Sequence, residues 1–149
     1  MESQFTIELH QQADYRFEVR FDHPDIPKLI TDETPPLGGD AGPNPARLLG
    51  TAVANCLAAS LLFALRKFKN DPPVGASATV SLVRNAQNRL RVGAIDVQLR
   101  LGAVASEISM LDRALAQFED FCIVTQSVRS AVPVSVQVLD RTGAVLKPA

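Results

Sequence analysis

The chain has no tryptophan, one tyrosine, two histidines and two cysteines among its 149 residues. Two thiols far apart in sequence, Cys56 and Cys122, are too few for a disulfide scaffold. His10 and His23 are the only other soft ligands, and no C-x-x-C or H-x-x-H spacing occurs, which disfavours a zinc site. Runs of Lys or Arg are missing and the formal net charge is −1. Phosphate neutralisation therefore has no basic patch to work with, and no nucleic-acid partner is expected. The opening residues MESQFTIELH lack the basic-then-apolar layout of a signal peptide, and with so few cysteines the expected location is cytoplasmic. The cluster Gly38-Gly39-Asp40-Ala41-Gly42 lacks the Gly-Lys-Ser/Thr of a phosphate loop and reads as a plain turn.

What is abundant is apolar helix. From Leu48 to Leu65 no side chain is charged, and Cys56 lies near the midpoint of the run. Leu48, Leu49, Ala52, Val53, Cys56, Leu57, Ser60, Leu61 and Ala64 recur at helical spacing, with mostly Ala, Leu or Phe between them. A helix apolar all round must be buried all round, in a protein core or in a membrane. The run is at the lower limit for spanning a bilayer, is diluted by Gly50, Thr51, Asn55, Ser60 and alanines, and has no second such segment beside it. It reads as a central core helix, with no membrane partner. Asn44 is the expected N-cap and Pro45 the first helical residue, and Asn70-Asp71-Pro72-Pro73 ends the helix near Lys69.

Around it the pattern predicts strands. Phe5, Ile7 and Leu9 alternate with polar residues, as do Tyr15, Phe17, Val19 and Phe21, which predicts a hairpin through a Gln11–Asp14 turn. His23 to Asn44, rich in proline and glycine, reads as one long surface loop. Ala76–Arg84 and Leu90–Leu101 predict a meander turning at Asn85–Arg89. Ser106 is expected to cap a shorter helix whose face runs Ile108, Leu111, Leu115, Phe118 and, one turn further, an inward-pointing Cys122. Pro133–Leu139 and Ala144–Leu146 complete the strands. The order β-β-α-β-β-α-β fits one α+β domain over residues 1–149, with helices against a single antiparallel-leaning sheet.

Each cysteine has a bland reading as a small buried hydrophobe. A Cys–His hydrolase would need His10 or His23, one on a polar strand face and the other in a proline-rich loop. Redox chemistry needs less: a thiolate attacks a peroxide oxygen, becomes a sulfenic acid, and a second thiol condenses with it. A mid-helix thiol gains nothing from a helix N-terminus, so a reactive Cys56 requires a cation from another segment. Arg16, Arg20 and Arg47 are the candidates.

The run DETPPLGGDAGPNPARLLGTAVANCLAASL resembles the osmotically inducible and organic hydroperoxide resistance proteins (the OsmC/Ohr family), and FCIVTQSVR resembles that family's second-cysteine segment. The resemblance implies an intertwined homodimer whose two long helices pack at its centre. It also implies reduction of organic hydroperoxides, with Cys56 as peroxidatic and Cys122 as resolving thiol. An external dithiol would recycle the disulfide, and no metal or organic cofactor is implied. Peroxidase members of the family place a glutamate just after the N-P pair, where it holds an arginine against the thiolate. This chain has Ala46 there, followed by Arg47, and Asp32 or Glu33 are the candidates for a substitute carboxylate. The alternatives are an OsmC-fold dimer that binds a small apolar ligand without catalysis, and a purely structural dimer, the cysteines being structural in both.

Overall fold

Helix α1, Pro45–Lys67, begins as the sequence predicts. The Arg47 N–H donates to Asn44 Oδ1 at 3.0 Å, so the asparagine caps one of the helix's orphan donors, and Pro45 follows it. Its far end is a Schellman turn. Lys69 takes the left-handed position at φ 62°, the Asn70 N–H donates to the Leu65 carbonyl, and the Lys69 N–H donates to that of Arg66. The Asn70 side chain then binds both backbone groups of Ser109, its amide donating at 2.8 Å and its oxygen accepting at 2.9 Å. The helix is long and apolar enough to cross a membrane by length and composition alone. The computed structural model describes residues 2–149, which fall into two compact units, 2–48 and 49–149.

In the first unit, β1 (Glu8–Ala13), β2 (Arg16–Arg20) and β3 (Leu29–Thr31) form an antiparallel sheet in that order. The hairpin turns at Asp14, at φ 51°, which is tighter than the expected Gln11–Asp14 turn and shifts β1 later than Phe5–His10. Every β1 residue is exposed, and Val19 is the buried apolar residue of this sheet. The predicted loop from His23 conceals β3, three residues pairing Leu29 with Val19 and Thr31 with Phe17. The rest of that loop winds around Asp32. Its carboxylate accepts from the backbone N–H groups of Glu33, Gly39 and Ala41 at 2.8 to 3.1 Å. The chain passes so close at Gly38 that a Cβ there would collide with the Glu33 carbonyl and the Asp32 carboxylate.

In the second unit, β4 (Val74–Arg84), β5 (Leu90–Leu101), β6 (Val134–Leu139) and β7 (Val145–Lys147) form a four-stranded sheet in that order. The β5–β6 pair is parallel and the other two are antiparallel. The α+β class is as predicted, but the strands form two sheets rather than one. Register puts Ile95, Val97 and Leu99 beside Val134, Val136 and Val138 on the face that packs with α1, while Asp96–Ser135 and Gln98–Gln137 hydrogen-bond on the other. Gly50 of α1 lies directly on this sheet: a Cβ there would come within 2.6 Å of Val80 Cγ2.

The predicted second helix is broken into pieces. A 3₁₀ turn at Ala105–Glu107 is followed by α2 (Leu111–Gln117), a second 3₁₀ turn at Phe118–Phe121 and α3 (Ile123–Val128). Met110 in the left-handed region precedes α2, so Ser106 caps nothing that continues and Ile108 lies outside the helix. Ile108 and Phe118 are nevertheless buried as predicted, with Leu111 and Leu115 partly so, and Ala114, outside the predicted face, is buried with them.

Candidate functional site: a cleft at Cys56 on the central helix

Burial of α1 is one-sided within the chain. Gly50, Val53, Ala54, Leu57, Ser60, Leu61, Ala64 and Leu65 are buried, whereas Thr51, Ala52, Asn55, Ala59 and Phe63 are exposed, Phe63 by 55%. The expectation of a helix covered on every side therefore fails for a single chain, whose own elements reach only one face. Cys56 stands at the border between the two faces, half-buried against the core.

Cys122 reaches the same place by a different route from the one predicted. It is not the next turn of α2 but the N-cap of α3, fully buried, with its sulfur accepting from the Thr125 N–H at 3.4 Å. Its S–H donates to Thr125 Oγ1 at 3.0 Å. Burial pushes the Cys122 thiol up from its usual range, and the neighbouring Cys56 side chain raises it further. The Thr125 hydroxyl and N–H act in the opposite direction. The two sulfurs are thus neighbours, and both are free thiols.

A cleft of about 330 Å³ opens beside them, lined by Cys56, Ala59, Ser60, Phe63 and Phe121. Phe63 and Phe121 meet edge-to-face, with centroids 5.5 Å apart and rings inclined by 72°. Lys67 Nζ sits 5.6 Å from the centre of the Phe121 ring. The segment that carries Phe121 and Cys122 is tied to the sheet through Glu119. Arg129 reaches that carboxylate at 2.8 Å and Lys147 at 3.2 Å, and each also donates to a β6 carbonyl, of Val134 and Val136. Burial opposes ionisation of Glu119, but Arg129 and Lys147 outweigh it and hold the carboxyl below its usual range.

The candidate cations have partners of their own. Arg20 pairs with Glu18, which Lys28 also contacts at 2.9 Å. Arg16 faces Asp32 at 3.9 Å, and Asp32 is only 4% exposed. The Ala41 N–H, then that of Glu33, hold the Asp32 carboxyl below its usual range, with Gly39 and Arg16 adding to them. Asp32 and Arg16 therefore pair a buried carboxylate with a guanidinium. His10 and His23 both lie exposed beside acids of their own strand and turn, Glu8 and Asp25. The sequence reading missed Thr125, the Phe63–Phe121 pair and the Glu119 network. Of these only Thr125 leaves a local signal, a polar residue three positions after a prospective N-cap.

The family profile of the OsmC-like proteins matches residues 38–137. An OsmC-like protein of unknown function from Vibrio cholerae shares the fold with a TM-score of 0.77 at 15% identity, over 92% of this chain and 99% of that one. An organic hydroperoxide resistance protein, OsmC, from Legionella pneumophila gives 0.70 at 16%, over 93% and 98%. The organic hydroperoxide resistance protein OhrB of Bacillus subtilis gives 0.66 at 17%, over 90% and 98%. At these identities the likeness establishes the fold. No curated protein sequence matches the chain significantly. The extent of the profile match across both cysteine segments makes this chain a member of the OsmC-like protein family.

Proposed function

We propose that the protein is a thiol peroxidase that reduces organic hydroperoxides, Cys56 being the peroxidatic and Cys122 the resolving thiol. The observation that carries this reading is a free thiol, Cys56, on the wall of an apolar cleft with a second free thiol, Cys122, buried beside it. Cys56, on the cleft wall, attacks the terminal oxygen of R–O–O–H as a thiolate. The O–O bond breaks, sulfur takes the OH as a sulfenic acid, and the alkoxide leaves and picks up a proton as R–OH. Cys122 then attacks the sulfenic sulfur, the S–S bond forms and water departs with its proton. A dithiol of the cell supplies the two electrons that reopen the disulfide. Apolar lining favours a substrate whose R group gains from burial, so alkyl hydroperoxides should outrun hydrogen peroxide.

The family likeness to proteins named for organic hydroperoxide resistance supports the same chemistry. The exposed side of α1 supports the homodimer: a second copy's helix is the partner that such a face fits, being self-complementary about a two-fold axis. A second reading, a dimer that binds an apolar ligand without turning it over, is favoured by Ala46 at the glutamate position.

Thiol counting separates the two readings. Equimolar cumene hydroperoxide should consume both thiols and leave an intrachain disulfide visible by mass spectrometry. Cys122→Ser should leave a dimedone-trappable sulfenic acid on Cys56, and Cys56→Ser should abolish peroxide consumption. Two thiols still reduced under excess peroxide would reject catalysis in favour of binding.

A further inference from the structure

We infer that Lys67 selects among hydroperoxides by pairing with an anionic group at the end of the substrate remote from the peroxide. The inference rests on the peroxidase reading for its substrate, and on the geometry of α1 for its residue. At 100° per residue, Cys56, Phe63 and Lys67 fall within about 40° of one another around the helix, forming a single stripe. Eleven residues of rise put the Cα atoms at the two ends of this stripe about 16 Å apart, and side chains lean toward the helix N-terminus, which shortens the separation of the tips. The thiol thus stands at one end of the stripe, the aromatic pair at its middle and an ammonium beyond.

The ammonium is also available. Arg66, its neighbour, is already neutralised by Asp71 at 2.8 Å. Lys67 instead lies over the face of Phe121, with no carboxylate at ion-pair distance among the described residues. A ring face fixes where the charge sits and leaves its other donors open to solvent. An apolar chain running from Cys56 past Phe63 and Phe121 would bring a terminal carboxylate to this cation, so the cleft fits an amphiphilic anion better than a neutral molecule of the same length. Lys67 touches neither the reacting sulfur nor the peroxide. Its role is selection, not catalysis.

The test is a ratio, which cancels any general effect of a substitution. Linoleic acid hydroperoxide and its methyl ester are offered to the wild-type protein with dithiol recycling. The acid should be preferred about fivefold in kcat/KM, carried by KM, which is what ~1 kcal/mol of solvent-exposed ion pairing gives. Lys67→Gln should bring the ratio to unity, Lys67→Glu should invert it, Lys67→Arg should retain it, and salt should erode it in the wild type. Equal handling of acid and ester by the wild type, or a ratio unmoved in Lys67→Gln, overturns the inference while cumene hydroperoxide turnover leaves the peroxidase reading standing. A binding arm needs no turnover: calorimetry of dodecanoate against methyl dodecanoate on Cys56→Ser, with and without Lys67→Gln. If no hydroperoxide is consumed, the peroxidase reading fails, and the selection of anions is decided by whether Lys67→Gln weakens dodecanoate binding.

Discussion

A buried thiol needs a hydrogen-bond partner in each of its protonation states, and Thr125 serves Cys122 in both. Its hydroxyl accepts from the S–H, and can turn to donate once the sulfur carries charge, as the Thr125 N–H already does. Thr125→Val keeps the shape and removes the hydroxyl. The Cys122 thiol should then rise further, closure of the disulfide should slow several-fold, and the Cys56 sulfenic acid should live correspondingly longer in stopped-flow trapping with dimedone. Stability should fall by about 1 kcal/mol for the lost hydrogen bond. Because the folded thiol already sits above its unfolded value, the unfolded chain gives up that proton first. The associated stability is intact below the unfolded pKa and is lost as pH climbs through the folded one. The presence of two thiols and the inward direction of the second were legible in the sequence. The cap that points it inward was not, because Cys is an uncommon N-cap and the helix it opens has only six residues.

Elements were legible where one long pattern dominates and illegible where short pieces share a stretch. Helix α1 announces itself by Asn44-Pro45, by its uncharged run and by the prolines beyond it. Its approach to the sheet does not, since Gly50 reads as mere dilution until Val80 is seen against it. Gly50→Ala should therefore reverse the usual order. Alanine favours helix by about 1 kcal/mol, but a stiff β-branched neighbour at this range costs about 1–3 kcal/mol in overpacking. Net destabilisation in urea melts, relieved by Val80→Ala in the double variant, is the expected outcome. The strand β3 and the broken α2–α3 region were missed because three and six residues carry no reliable period. What fixes the latter is a long-range ion network, which sequence order hides. Glu119→Gln should loosen it by about 1–2 kcal/mol and raise hydrogen exchange across Phe118–Val128. Since the folded Glu119 carboxyl lies below its unfolded value, its contribution is present above the unfolded pKa and lost as pH falls through the folded one. The wild type should lose stability through that acidic window, and Glu119→Gln should lose less.

At the scale of the whole molecule, a face that one chain leaves uncovered becomes a statement about two. The exposed arc of α1 divides by angle: Cys56, Phe63 and Lys67 lie at one edge, while Thr51, Asn55 and Ala59 lie further round, where small side chains allow another helix to come close. Phe5, Ile7 and Leu9, exposed in the first unit, add apolar surface of the kind that subunit contacts cover. Asn55 lies within the small-residue part of the arc and outside the lining of the cleft, so Asn55→Arg leaves the folded chain's own packing untouched. In a two-fold dimer the same substitution sets two guanidinium groups near the axis, where each repels the other and neither fits. Sedimentation equilibrium should give twice the chain mass for the wild type and a single chain mass for Asn55→Arg. Thr79→Arg, on the polar face of β4, should remain dimeric. A wild-type protein that sediments as one chain at every concentration would remove the second copy, and with it the physical reason for so long an apolar helix lying half bare.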